Sequence, residues 1–325
     1  MYYPNHIEDI CYEPEHIQKV WAEIKLNIRK YFRDYIAAEG KTDGVSDAAI
    51  AKLSEAFGAV AKPKSKPKNP KTVLGNILQQ AIDDFEKDRG SYQEHLNLEA
   101  LAEYKEDVNL FKNTILKHQI PVIRKTLQNK QAKELDKFRS SFSQSAAGNL
   151  FNVVQKIIAE TENWRKEWYD VAAFEKIDQL DDLDYSELDG DDYTAFGVIG
   201  GGIKSQFIYK LHPEMYPNRS REAIWALWYL SDKKQFGCKE DSEFLMINLD
   251  ESTTQQNYFY PYGLFSFYAL LVYKEVKAIY GANGLTLPVA YRFVPVDHFL
   301  SFVSRQHQSE IDTLKSKAKN YHYDF

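Results

Sequence analysis

Cysteine is nearly absent from this chain: of 325 residues only Cys11 and Cys238 are cysteines. So wide a separation in sequence forms neither a disulfide framework nor a metal knuckle. The sequence therefore predicts a reducing, cytoplasmic compartment and neither a metal nor a cofactor. The opening Met1-Tyr2-Tyr3-Pro4-Asn5-His6 lacks the basic and apolar blocks of a secretory signal. Long apolar runs are missing too. The longest, Gly263 to Tyr273, is well short of the roughly 20 residues that span a bilayer, so it reads as a buried core helix and no membrane is expected. Positive charge is not in surplus: the formal net charge is -6. That excludes coating nucleic acid by bulk charge and leaves only a local basic face. No repeat of fixed period, nucleophile elbow or nuclease carboxylate-lysine set occurs. What is present is apolar substance, 44% hydrophobic and 14% aromatic, enough for one large core or two moderate ones.

The pattern of that apolar content predicts a mainly α protein: an N-terminal helical region with long amphipathic helices, then an aromatic-rich, mostly helical C-terminal domain with at most a small sheet. Residues 1-60 form the N-terminal helical segment. Within it Ile17, Val20, Trp21, Ile24, Ile28, Tyr31, Phe32 and Tyr35 recur at three- and four-residue steps after Pro14, giving a helix to about Gly40. Its opposite face carries Lys19, Lys25, Arg29, Lys30 and Arg33, expected to be solvated. A short helix fits Ser46 to Phe57. Residues 61-71 alternate lysine and proline and read as an extended linker. Region 72-180 holds long helices: Thr72 to Lys87, Leu96 to Gln128 with a bend or interruption at Pro121, one from about Lys133, and one carrying Leu150, Val154, Ile157, Ile158, Trp164, Trp168 and Val171 on one side. The acid-rich stretch 181-192 reads as a solvated interdomain linker, because an EF-hand register placed on Gly190 puts Tyr185 and Phe196 at ligand positions. In the remaining domain, 193-325, short strands are expected at 243-249 and 291-296, and helices at 264-280 and 299-319.

One segment concentrates local chemistry: Phe196-Gly197-Val198-Ile199-Gly200-Gly201-Gly202-Ile203-Lys204-Ser205, followed by Leu211-His212-Pro213-Glu214-Met215-Tyr216-Pro217-Asn218-Arg219-Ser220-Arg221. Three glycines opening a helix expose backbone N–H groups at its N-terminus, where a phosphate is readily held. A P-loop is disfavoured, because Ile203 stands where its last glycine belongs. A dinucleotide fold is disfavoured as well, since no apolar strand leads in. Gly200-Gly201-Gly202-Ile203-Lys204, with the continuation through Leu211, Pro213, Tyr216 and Pro217, resembles the Gly-x-Gly-x-Lys hairpin of helix-hairpin-helix DNA glycosylases over about thirty residues. That resemblance implies hairpin amides gripping DNA backbone without reading bases. Lys204 falls where bifunctional members carry their amine nucleophile, but Asn218-Arg219-Ser220-Arg221 replaces the expected catalytic aspartate.

The sequence thus selects Gly200, Gly201, Gly202, Lys204, Ser205, Arg219 and Arg221 as a phosphate-binding set and no residue as catalytic; the alternative for Arg219 and Arg221 is pairing with the acidic stretch 181-192. Trp225, Trp228 and Tyr229 follow and read as core before they read as base-stacking platforms. Arg292 and His298 match the loose arginine-histidine spacing of HEPN ribonucleases, although Pro295 between them favours a turn. The leading expectation is a nucleic-acid-binding subunit, DNA before RNA, in an assembly of the repair, restriction or antiviral-defence kind. The alternative is a non-catalytic interaction or scaffold subunit whose N-terminal helices meet a protein partner or a second copy, with a purely structural glycine turn. A nuclease or base-excision lyase ranks third.

Overall fold

A computed structural model describes residues 7-39, 69-183, 185-239, 243-248, 253-256 and 260-320. The expected helix at 46-57 and most of the lysine-proline linker lie outside them. Among the described residues eight α-helices reach ten residues or more: α1 Pro14–Glu39, α2 Pro70–Glu86, α3 Ala147–Glu167, α4 Gly201–Leu211, α5 Arg221–Leu230, α6 Tyr262–Ala282, α7 Val294–Gln306 and α8 Gln308–Asn320. The sheet is a single antiparallel pair, β1 Leu245–Asn248 and β2 Thr253–Gln256, with Leu245 opposite Gln256 and Asn248 opposite Thr253. The protein is mainly α with a small sheet. None of the described helices is long and apolar enough to cross a membrane.

The hydrophobic period dictates the packing. In α1, Ile17, Val20, Ile24, Ile28, Phe32 and Tyr35 are buried, while Lys19, Lys25, Arg29, Lys30 and Arg33 stay exposed. That buried stripe packs on α2, α5, α6 and α7. Helix α6 is apolar nearly all round, from Leu264 through Tyr280, and accordingly runs through the interior. Trp225, Trp228 and Tyr229 of α5 are buried with it, so they are core.

Two expected elements differ in a way proline explains. The long helix expected at 96-128 is divided into Leu98–Tyr104, Val108–Leu110, a π-helical stretch Phe111–Gln119 and Pro121–Gln128. Proline disfavours a helical residue before it, and Ile120 is extended, so the helix is interrupted at Pro121, which starts a new one. The strand expected at 291-296 is instead a short 3-10 turn, Val289–Tyr291, running into α7. Pro295 sits in the first turn of that helix, where its fixed φ and missing N–H cost nothing. The acidic stretch is folded into 3-10 turns, with Leu183, Tyr185 and Leu188 buried. Its apolar residues anchor it, and it is not a freely solvated linker.

Candidate functional site

The glycine segment begins with a tight turn. Ala195 and Ile199 exchange backbone hydrogen bonds of 3.0 and 2.8 Å around Gly197, whose φ is +78°. A side chain there would be strained and would strike Ser141. Of the next three glycines only the middle one is required, and for another reason. Gly200 caps α4 in an extended conformation, φ -99° and ψ -175°, with no side-chain cap, and Gly201 and Gly202 open the helix. All three backbones suit any residue, and a Cβ on Gly200 meets nothing within 4 Å. At Gly201, however, a Cβ would lie 2.5 Å from Arg219 Nη1. The middle glycine is there because a guanidinium lies against its backbone.

Gly200, Gly202 and Arg221 are exposed and Gly201 is half-buried, whereas Lys204, Ser205 and Arg219 are buried. The Lys204 Nζ donates to the carbonyl of Leu188. Ser205 Oγ donates to the Gly202 carbonyl at 3.0 Å and accepts from the Arg219 N–H at 3.1 Å, fastening the start of α4 to the segment leading into α5. Ser220 caps α5, accepting from the Ala223 N–H at 3.0 Å. Within the acidic stretch expected as the alternative partner of Arg219, the residue that faces it is Asp189, whose further role at α6 sequence reasoning missed. Its carboxylate turns in to accept the Tyr262 N–H, 2.8 Å from each oxygen, and so caps α6, while its charge faces Lys204 and Arg219. A lone acid in an acid-rich stretch carries no sequence signal for that role.

The titrations follow the crowding. Loss of water lowers Lys204 to about 8, with the neighbouring Arg219 charge adding to the effect and Asp189 opposing it. Desolvation likewise lowers Arg219 to about 10. Protein packed around the Asp189 carboxylate raises its pKa, against the pull of the Tyr262 amide and the two cations. Two cations and the positive ends of α4 and α6 therefore share this region with the Asp189 carboxylate. Gly200 and Gly202 are exposed at the surface there, and Arg221 is exposed at the first position of α5. The Lys204 and Arg219 side chains lie beneath.

The other sequence candidates have internal roles. Arg292 is fully buried, with its guanidinium over the rings of Phe174, Tyr273 and Tyr169, and donates to the Glu214 carbonyl. His298 is hydrogen-bonded to Tyr35. His212 meets Glu162 at 2.9 Å.

A second polar junction has no counterpart in the sequence analysis. Cys11, in a 3-10 turn at Asp9–Tyr12, and His16, in the first turn of α1, meet Cys238 and Glu243 from the segment after α5. All four are buried, and their ligand atoms lie within 4.8 Å of one another. The two sulfurs are 3.8 Å apart and His16 Nε2 touches the Glu243 carboxylate. Tyr260 donates to the other carboxylate oxygen at 3.1 Å. The cysteines, 227 residues apart in sequence and expected to form neither a disulfide framework nor a metal knuckle, are neighbours. Only the paired spacings Cys11-x4-His16 and Cys238-x4-Glu243 hinted at the set.

Comparisons with protein-family models, with curated proteins and with solved structures each find no match for this chain.

Proposed function

We propose that the protein binds nucleic acid, through backbone phosphate, at the start of α4. The observation that carries this reading is a surface-open helix N-terminus without a side-chain cap, with the Arg219 guanidinium laid against its first residue. The N–H groups of Gly201, Gly202 and Ile203 have no acceptor within the helix itself. Arg221, exposed at the start of α5, adds a cation on the same segment as Arg219. Lys204 and Arg219 act from below by raising the local potential. Contacts of this kind grip phosphate and do not read bases, so affinity depends weakly on sequence and falls as salt rises.

Fluorescence anisotropy with labelled single- and double-stranded DNA and RNA at two salt concentrations tests this with two substitutions. Arg221→Ala is expected to leave the fold intact and reduce the salt slope by about one. Gly200→Asp places a carboxylate on the free amides in open space, which stabilises the helix by a few tenths of a kcal/mol and excludes the phosphate. Loss of binding in a protein with an unchanged or higher Tm supports the reading. Binding indifferent to salt and to both substitutions refutes it. The second reading, an interaction or scaffold subunit with a structural glycine turn, is favoured by Lys204, whose ammonium is spent on the Leu188 carbonyl. It expects no nucleic-acid binding by the folded wild type.

A further inference from the structure

We infer that Cys11, His16, Cys238 and Glu243 bind a zinc ion that fastens the N-terminal segment to the loop after α5. Two thiolates, an imidazole and a carboxylate are the donor set that zinc takes in four-coordinate sites, and the soft sulfurs disfavour magnesium and calcium. The geometry agrees in magnitude. Sulfurs at about 2.3 Å from a tetrahedral ion stand about 3.8 Å apart, and the Cys11 and Cys238 sulfurs are separated by 3.8 Å. The other two donor atoms lie within 4.8 Å of them. Each ligand side chain belongs to a residue no more than 7% exposed, so four protein donors close the site and the ion is structural. Binding releases the two thiol protons to solvent and breaks the His16–Glu243 hydrogen bond, whose proton leaves with them or is carried on the other ring nitrogen of His16, and the ion's two positive charges then meet two thiolates and the Glu243 carboxylate.

The loop that delivers Cys238 carries an independent sign. Asp232, Lys233, Phe236 and Gly237 all have positive φ, at 55°, 60°, 54° and 97°. The first pair ends α5, with the Lys233 N–H returning to the Trp228 carbonyl at 3.0 Å. The second pair forms a tight turn closed by the Cys238 N–H on the Gln235 carbonyl at 3.0 Å. A phenylalanine held left-handed is an outlier that persists only where its surroundings over-determine it. Here the turn sets the Phe236 ring edge-on against His16, at 6.3 Å between ring centroids, and aims Cys238 at Cys11. Lys239 adds a backbone N–H to Glu8 at 2.7 Å, and Tyr260 orients Glu243 from outside the donor set.

The full chain, purified under reducing conditions without an affinity metal, is measured for metal by plasma mass spectrometry, then stripped by a chelator and titrated with Co2+. The expected result is about one zinc per chain, a lower Tm after chelation, and a near-ultraviolet thiolate-to-cobalt band saturating at one equivalent. Cys238→Ser is expected to weaken that band and Glu243→Gln to preserve it at reduced affinity. Because the serine variant can fail to fold, the wild-type cobalt titration decides by itself. A folded, reduced wild-type chain that carries no zinc and develops no thiolate band overturns the inference. Bound metal that survives loss of both cysteines overturns it as well.

Discussion

Two polar junctions in this protein draw on different side chains and solve opposite problems. At the start of α4, Lys204, Ser205, Arg219 and Asp189 gather around three glycines, and the described contacts of Lys204, Ser205 and Asp189 are to backbone groups: the Leu188 and Gly202 carbonyls and the Arg219 and Tyr262 amides. At the start of α1, Cys11, His16, Cys238 and Glu243 point their donor atoms at one another. The first junction turns polar side chains onto the chain to leave amides free at the surface. The second turns them onto a shared point in the interior. Tyr260 and Tyr262 connect the two, since the Tyr260 hydroxyl binds Glu243 and the Tyr262 amide binds Asp189. Polar side chains that converge on backbone close a fold, whereas those that converge on each other form a donor set.

The most damaging single change expected at the glycine junction is Asp189→Ala, which removes the cap of α6 and the carboxylate opposing Lys204 and Arg219. Loss of a cap and its charge costs about 1–2 kcal/mol, read as a lower urea midpoint at unchanged slope. Asp189→Asn keeps a capping oxygen and is expected to recover part of it. If both variants match the wild type, the contrast between the junctions fails, because Asp189 would then be as dispensable as its acidic neighbours. A smaller effect is expected from Gly201→Ala. The added methyl displaces the Arg219 guanidinium from its buried position, at a cost of roughly 1 kcal/mol. Gly202→Ala is the control, since its Cβ meets only the Arg219 carbonyl oxygen, at 3.8 Å.

How much of this was legible beforehand follows from distance along the chain. The repeating apolar steps from Ile17 to Tyr35 determine α1 and its buried face, because a helix is a local object. The glycine segment was legible as a helix start for the same reason. The direction of Lys204 and Arg219 was not, since it depends on Leu188 and Asp189 from the turns before and on the space that Gly201 leaves. The strand expected at 291-296 failed where apolar alternation was outweighed by a proline suited to a helix's first turn. Cys11 with His16 and Cys238 with Glu243 showed only as two separate spacings and not as one set, because neither pair alone has enough donors and 227 residues separate them.

The finest test of the contrast is a titration of Lys204. Its folded pKa is lowered to about 8 from an ordinary value of 10.5, so between these two values the unfolded chain holds a proton that the folded chain has released. Stability owed to this group therefore rises with pH across that window, with a limiting slope of about 1.4 kcal/mol per pH unit. Tyrosines raised by burial, such as Tyr262 and Tyr216, act the other way above pH 10. They are shared by any variant and cancel in a difference. Urea midpoints of the wild type and Lys204→Met at pH 7, 8, 9 and 10 are thus expected to diverge upward from pH 8 in favour of the wild type. A flat difference would mean that Lys204 keeps its proton, so that the junction beneath the glycines carries enough negative charge to hold the ammonium. In that event the excess positive potential on which the proposed phosphate site depends would be absent, and the structural reading of the turn would be the stronger one.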